Sequence, residues 1–128
     1  MKKKFSLSWL SSTQPRKQRK FRAQAPLHTK HKFLSTHLSK SLKEKYGKRN
    51  LPLRKGDEVL IMRGTFKKKK AKVNSVNLKK TKVSVEGIQR TKKDGSKVSV
   101  WFSPRALQIT TLNLEDKKRL PSVSPKEN

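Results

Sequence analysis

The sequence predicts a mainly β fold, a small five-stranded barrel preceded by a basic N-terminal extension and short helices. From Leu51 onward, hydrophobic and polar residues alternate in short segments, as they do along β-strands. Turn residues separate these segments, and the Asp94–Gly95 pair among them suits a hairpin. Hydrophobic residues make up only 30% of the 128 residues, so we expect one small core and poorly ordered ends.

Five segments with strand periodicity follow a turn at residues 55–57. They are EVLIM at 58–62, AKVNSVN at 71–77, TKVSVEGI at 81–88, SKVSVWF at 96–102 and LQITTL at 107–112. Five short antiparallel strands in about 60 residues are too few for a wide sandwich, and closure into a small barrel protects their edges. An SH3-like barrel and an OB-type barrel both fit this pattern, with the aliphatic residues of the strands as the core.

The N-terminal part of the chain contains two short helical signals. PLHTKHKFL at 26–34 begins with a proline suited to a first helical turn. In the next segment, Ser39 or Ser41 is the candidate N-cap, and Gly47 is the candidate end of a helix. Residues 1–25 lack sustained periodicity, and we expect partial disorder there. The predicted division is therefore an extension at 1–25, a helical segment at 26–50, the barrel at 51–111 and a C-terminal tail at 112–128.

Charge is the strongest functional signal in the sequence. The formal net charge is +27, from 35 Lys and Arg against 8 Asp and Glu. The basic and acidic residues number 15 and 1 in residues 1–50, 16 and 4 in residues 51–111, and 4 and 3 in residues 112–128. This excess predicts a polyanionic partner, and nucleic acid is a better candidate than an anionic membrane.

Several functional classes are disfavoured by the residue content. The chain has no cysteine, and His28, His31 and His37 have no neighbouring carboxylates to complete a metal site. No catalytic constellation or phosphate-cradling motif is visible. We expect no enzyme, no cofactor, no metal and no small-molecule substrate. No apolar run approaches the roughly 20 residues of a membrane span, and MKKKFSLSWLSS at 1–12 lacks the cleavage site of a signal peptide.

Basic clusters supply the candidate RNA-binding residues. The lysine run of RGTFKKKKAKV at 63–73 lies in the predicted loop between the first two strands, where several ammonium groups can approach separate phosphates. Arginine forks in the other clusters suit phosphates and stack on bases. Phe66 is the aromatic best placed to contact a partner, whereas we expect Tyr46 and either Trp101 or Phe102 in the core. The candidates are Arg16, Lys17, Arg19, Lys20, Arg22, His28, Lys30, His31, Lys32, Arg54, Lys55, Arg63, Phe66, Lys67, Lys68, Lys69, Lys70 and Lys72.

The segment RKGDEVLIMRGTFKKKKAKVNSVN at 54–77 resembles a KOW motif, with K-G-D before alternating hydrophobic residues and a glycine at Gly64. QPRKQRK at 14–20, APLH at 25–28 and VEGIQRTKKDGSKV at 85–98 extend the similarity. Together these segments resemble the archaeal and eukaryotic type of the large-subunit ribosomal protein twenty-four family, and the short loop before Val73 is closer to the archaeal form. The resemblance runs from about residue 14 to residue 115.

This resemblance implies an SH3-like barrel in a structural, rRNA-binding protein of the large ribosomal subunit in the cytoplasm. It implies binding to the 5′ region of large-subunit rRNA near the polypeptide exit tunnel, a role in early subunit assembly, and neighbouring ribosomal proteins as partners. By the family pattern, Gly56 and Gly64 also meet the RNA. The sequence departs from a glycine-containing K-G-K-x-G-K-V loop, because Lys68 and Ala71 replace the glycines.

Two other functions remain open from the sequence. A KOW-type transcription or chromatin factor that binds nucleic acid or RNA polymerase is the alternative to a ribosomal protein. A polycation acting at a membrane surface is supported only by MKKKFSLSWL at 1–10.

Overall fold

A computed structural model describes residues 5–122 of the chain, with only the backbone at 120–122. These residues contain three α-helices, α1 (Pro15–Gln24), α2 (Leu27–Phe33) and α3 (Lys40–Tyr46). The seven strands are β1 (Ser35–Leu38), β2 (Asn50–Pro52), β3 (Glu58–Ile61), β4 (Lys70–Asn77), β5 (Lys82–Thr91), β6 (Lys97–Phe102) and β7 (Leu107–Thr111). Short 3₁₀ turns lie at Leu7–Trp9, Pro104–Ala106 and Lys117–Ser122. The predicted extension begins, and the predicted tail ends, outside the described residues.

The strands form one open mixed sheet in the order β2-β1-β7-β3-β4-β5-β6. Strands β1 and β7 are parallel, and every other neighbouring pair is antiparallel. The mainly β prediction is confirmed, and the five predicted strands are β3 to β7. Strands β1 and β2 add to these five. Within the described residues the sheet is open, with β2 and β6 at its edges, so the five-stranded barrel stays a prediction.

Strands β1 and β2 were missed because they are too short to show a strand pattern. They contain four and three residues, and their pairing depends on distant parts of the chain. His37 pairs with Gln108 of β7, while the buried Thr36 hydroxyl donates hydrogen bonds to the carbonyls of Leu34 and Pro104 at 3.4 and 3.3 Å. Tertiary contacts therefore fix these strands.

Helices α2 and α3 lie where the sequence predicted them. Ser39 is the N-cap residue of α3, and Gly47 ends that helix with φ of 63°, a left-handed conformation that suits glycine. Helix α1 was not predicted, because residues 15–24 carry one buried apolar side chain instead of a repeating apolar face. That side chain, Phe21, has its ring centroid 6.0 Å from that of Phe33 and 5.0 Å from that of Phe5. These contacts attach the basic helix to α2 and to the N-terminal segment.

The strands and the segment that precedes β3 together contribute the hydrophobic core. It consists mainly of aliphatic residues from the strands, with Tyr46 and Phe102 buried as expected. Trp101 is 44% exposed, since its neighbour Phe102 occupies the core-facing position on β6. The buried set is Leu34, Leu38, Tyr46, Leu51, Leu53, Val59, Ile61, Val73, Val83, Val85, Ile88, Phe102, Leu107 and Ile109.

A buried polar cluster fixes the C-terminal segment to the turn before β3. The Asp57 carboxylate is fully buried and accepts hydrogen bonds from the backbone amides of Arg54 and Asn113, both at 2.9 Å. Arg119 donates to both carboxylate oxygens, at 2.7 and 2.9 Å, and to the carbonyls of Pro52 and Asn113. The segment at 112–119 is therefore part of the folded unit.

Candidate nucleic-acid interface

Helix α1 presents five of the predicted RNA-binding residues, and all of them are exposed. The N-terminal segment packs along this helix. The Gln18 side-chain amide donates to the carbonyls of Trp9, Leu10 and Ser12 at 3.1, 3.0 and 2.7 Å, and the Lys20 ammonium lies 4.8 Å from the Trp9 ring centroid. The residues concerned are Arg16, Lys17, Arg19, Lys20 and Arg22.

Most of the lysine run lies in an ordered loop between β3 and β4, but Lys70 and Lys72, which were predicted in this loop, belong to β4 and pair with β3. Gly64 has φ of 93° and Lys68 has φ of 71°, so the loop uses two left-handed residues to reverse direction. The Lys68 amide donates to the Ile61 carbonyl at 2.8 Å, and the Lys67 amide donates to the Gly64 carbonyl at 3.1 Å. Lys67, Lys68, Lys69, Lys70 and Lys72 are exposed, as is Arg63. The ammonium groups of these residues are therefore exposed to water on an ordered backbone, and none forms an ion pair in the described part of the chain.

Phe66 does not project freely from this loop. Its ring meets that of Phe102 edge to face, with centroids 6.1 Å apart, and it packs against the core. The Lys69 ammonium lies 5.4 Å from the Phe66 ring centroid. Since the side chain remains half-buried, only part of the ring is accessible to a partner, and its predicted RNA contact stays a prediction.

The predicted site residues at 54–56 have neighbours within the chain. Arg54 forms an ion pair with Asp116, and the hydrogen bonds from Lys118 and Arg54 lower the pKa of that carboxyl. Gly56 has φ of 89°, and a side chain there would bring Cβ within 2.5 Å of the Asn113 amide nitrogen. Packing thus explains this glycine without any RNA contact. Lys55 is exposed in the same turn.

The four candidates on α2 differ in exposure. His28 and Lys32 are exposed, whereas Lys30 and His31 are half-buried. Burial lowers the pKa of His31, and the positive charges of Arg54 and Arg119 lower it further. Among the described residues, no group of three His, Cys, Asp or Glu side chains is arranged to hold a metal ion.

Tertiary structure brings three predicted residues together with two that sequence reasoning missed. Arg19, Arg22 and Lys30 line one cleft with Lys79, from the turn between β4 and β5, and Arg105, which follows β6. Lys79 and Lys80 form a basic pair in the predicted turn at 77–81, and this pair is a weak sequence signal for a phosphate contact. Arg105 is isolated between Pro104 and Ala106, and no local pattern marks it.

The β5–β6 hairpin carries a second group of basic residues, which are not among the predicted RNA-binding residues. Its tip is the predicted Asp-Gly turn, in which Gly95 has φ of 88°. The Asp94 carboxylate accepts hydrogen bonds from the Ser96 hydroxyl and amide at 2.7 and 2.9 Å, and they lower the pKa of Asp94. The KKDGSK pattern could have indicated the exposed cations there, which are Arg90, Lys92, Lys93 and Lys97.

Comparison with known proteins shows the family of this chain. The ribosomal protein family that comprises the eukaryotic L26 and the archaeal L24 proteins matches residues 12–126. The chain belongs to this family. Its membership confirms the resemblance seen in the sequence, and it confirms that the chain is a ribosomal-type protein and no enzyme.

Individual relatives match the chain over nearly their full length. Proteins named large ribosomal subunit protein uL24 from Methanosphaera stadtmanae and Methanocorpusculum labreanum are both 44% identical to it, over 90% and 91% of this chain and 98% and 97% of their own. The protein of the same name from Methanosarcina barkeri is 43% identical over 88% of this chain and 97% of its own. The residue range of the family match, 12–126, includes the basic helix α1.

The helices of the described residues are short. None has both the length and the apolar content needed to cross a membrane.

Proposed function

We propose that this protein is a structural constituent of the large ribosomal subunit in the cytoplasm, where it binds large-subunit rRNA. The observation that carries the proposal is family membership across residues 12–126 in a chain of net charge +27. Phosphates of rRNA neutralise exposed cations that have no carboxylate partners, and the released counterions favour binding. Neighbouring ribosomal proteins are the second class of partner.

We also propose which part of the rRNA the protein binds and what this binding does in ribosome assembly. The RNA partner is the 5′ region of large-subunit rRNA near the polypeptide exit tunnel, and binding supports early subunit assembly. This finer statement rests on the resemblance of residues 14–115 to the family. We also propose that β3 to β7 form an SH3-like barrel and that the chain has the four predicted parts. The predicted RNA-binding residues belong to the same proposal. These statements rest on the resemblance to the family and on the exposed basic side chains.

Sedimentation of a cell extract tests the proposal. The chain is expected to co-sediment with the large subunit at low salt and to leave it at high salt, because phosphate contacts weaken with ionic strength. Recovery only in RNA-free fractions at low salt would contradict a ribosomal role. Crosslinking on intact subunits, mapped to nucleotide positions, tests the 5′ region, and crosslinks to RNA polymerase instead of rRNA would favour the transcription-factor alternative.

A further inference from the structure

A basic cleft lies between the N-terminal helices and the sheet. Its volume is about 810 Å³, and α1 and α2 form one wall. The turn between β4 and β5 and the segment after β6 form the other. Five cations line it, Arg19, Arg22, Lys30, Lys79 and Arg105.

These five cations have no neutralising partner within the described chain. No carboxylate lines the cleft, and the ion pairs found among residues 5–122 join Arg54 to Asp116 and Arg119 to Asp57, away from it. Like charges around a shared cavity repel one another. An anion from outside the chain is the natural counter-charge.

The chain positions the two walls by specific contacts. The Lys30 ammonium donates to the Ala23 carbonyl of α1 at 3.3 Å and to the Lys79 carbonyl of the opposite turn at 3.5 Å. The turn that presents Lys79 is itself fixed, because the Asn77 side-chain oxygen accepts a hydrogen bond from the Lys80 amide at 3.0 Å. Phe33 lines the cleft and is held by its ring contact with Phe21. The arrangement of cations is therefore a property of the fold.

The number of cations indicates the size of the ligand. A single phosphate group carries at most about two negative charges, so five cations in one cleft require several phosphates. The guanidinium groups of Arg19, Arg22 and Arg105 offer planar forks that match phosphate oxygens. Phe33 is the one aromatic in the lining, so the cleft has little surface for stacking bases. This composition favours contact with the backbone of a nucleic acid over reading of its bases.

We propose that this cleft binds the sugar–phosphate backbone of one RNA strand, with phosphates shared between the α1 side and the sheet side. The proposal rests on the proposed rRNA-binding function and adds a site to it, since Lys79 and Arg105 were absent from the predicted interface. A strand bound there neutralises both walls at once. RNA binding therefore ties the N-terminal helices to the sheet.

Two charge-matched double variants of the full chain test the site. Lys79→Gln/Arg105→Gln removes two cations from the cleft, and Lys40→Gln/Lys117→Gln removes two from positions outside the candidate interface; all four side chains are exposed, so both variants should fold. Binding to a transcript of large-subunit rRNA is measured over a range of salt concentrations. We expect the cleft variant to lower the log–log salt slope by about 1.4 to 1.8, the value for two phosphate contacts, and the control to lower it less.

Crosslinking from a labelled residue in the cleft to the RNA reports where the RNA binds, which the net charge of the protein does not decide. The chain has no cysteine, so Ala23→Cys, in the cleft lining, accepts a photoreactive label at a unique thiol. We expect this label to crosslink to the transcript, to lose the crosslink when Lys79 and Arg105 are replaced, and to keep it in the control background. An absent crosslink in the parent protein, or one that survives in the cleft variant, overturns the cleft site while the rRNA-binding function stands. Failure of the unsubstituted chain to bind the transcript overturns both.

Discussion

Arg119 and the lysines of the β3–β4 loop are cations of one chain in opposite surroundings. Arg119 is 4% exposed, and its guanidinium contacts both oxygens of the buried Asp57. Lys67 and Lys69 in this loop, and Lys70 at the start of β4, are exposed and form no ion pair in the part of the chain that the structure describes. Position in the fold, more than residue type, therefore separates structural cations from those available to a partner.

The difference follows from the cost of removing charge from water. A buried pair is expensive to form, and removing one partner leaves the other desolvated and unpaired. An exposed lysine in a loop keeps its hydration, so its removal changes folding little. The buried pair is expected to control stability, while the loop is expected to control binding to RNA.

The largest effect is expected at the buried pair. Arg119→Ala leaves the Asp57 carboxylate buried without its charge partner and should lower the free energy of unfolding by about 3–5 kcal/mol. Urea denaturation of the full chain measures this. The adjacent Lys118 is exposed, and Lys118→Ala should change stability by less than about 0.5 kcal/mol. Equal midpoints for the two variants would show that the C-terminal segment does not hold the fold through this pair.

The loop should show the reverse behaviour. Replacing Lys67, Lys69 and Lys70 with Gln should lower the log–log salt slope for rRNA binding by about 2 to 3, because each lost phosphate contact removes about 0.7 to 0.9. The melting temperature should hardly change. Binding to an rRNA transcript at several salt concentrations provides the measurement.

A matched variant controls for net charge in the loop experiment. Replacing Lys40, Lys45 and Lys117 with Gln removes the same charge from exposed positions outside the predicted interface. A smaller change in slope is expected there. A large loss of stability with unchanged RNA binding in the loop variant would make the lysine run a structural element.

Elements of this fold are predictable from the sequence where the contacts that determine them are local. Strands β3 to β7 were predicted because alternating side chains mark one buried face, and the Asp94–Gly95 turn because glycine there adopts positive φ. The Asp57 cluster was not predicted, since its partner Arg119 lies 62 residues away along the chain. The open sheet also depends on such distant pairing, because β1 joins β7.

The basic residues of the candidate interface were likewise predicted only where they are neighbours in the sequence. Runs of lysine and arginine on α1 and in the β3–β4 loop are visible in the sequence and prove to be exposed. Arg105 has no basic neighbour in sequence and joins Arg19 and Arg22 only through the tertiary fold. The Lys68 and Ala71 replacements of family glycines were visible, but their consequences differ. Lys68 adopts the left-handed conformation, whereas Ala71 pairs with Val59 in an ordinary strand.

This last difference predicts opposite effects of glycine at two nearby sites. Lys68→Gly should raise the free energy of unfolding by about 1 kcal/mol, because a left-handed conformation costs a side-chain-bearing residue about that much. Ala71→Gly should lower it by about 0.5–1 kcal/mol, because glycine in a strand loses more entropy on folding. Thermal or urea denaturation measures both. A loss of stability in both variants would rule out backbone strain at Lys68.

The smallest expected effect comes from His31, whose pKa responds to burial and to the charges of Arg54 and Arg119. Burial and the charges of Arg54 and Arg119 lower its pKa in the folded state below the ordinary value of 6.5. In the pH range between the two pKa values, the unfolded chain binds more protons, so stability rises with pH and falls as the solution is acidified.

The measurement is the melting temperature between about pH 7.5 and pH 5, in the range where histidine titrates. The decrease on acidification should be slightly smaller in His31→Gln than in the unsubstituted chain, because the variant has no imidazole to protonate beside the two arginines. Bound RNA should reduce the difference further, since nearby phosphates stabilise the protonated form. A steeper acid loss in His31→Gln would mean that the imidazole gains a favourable partner when it is charged.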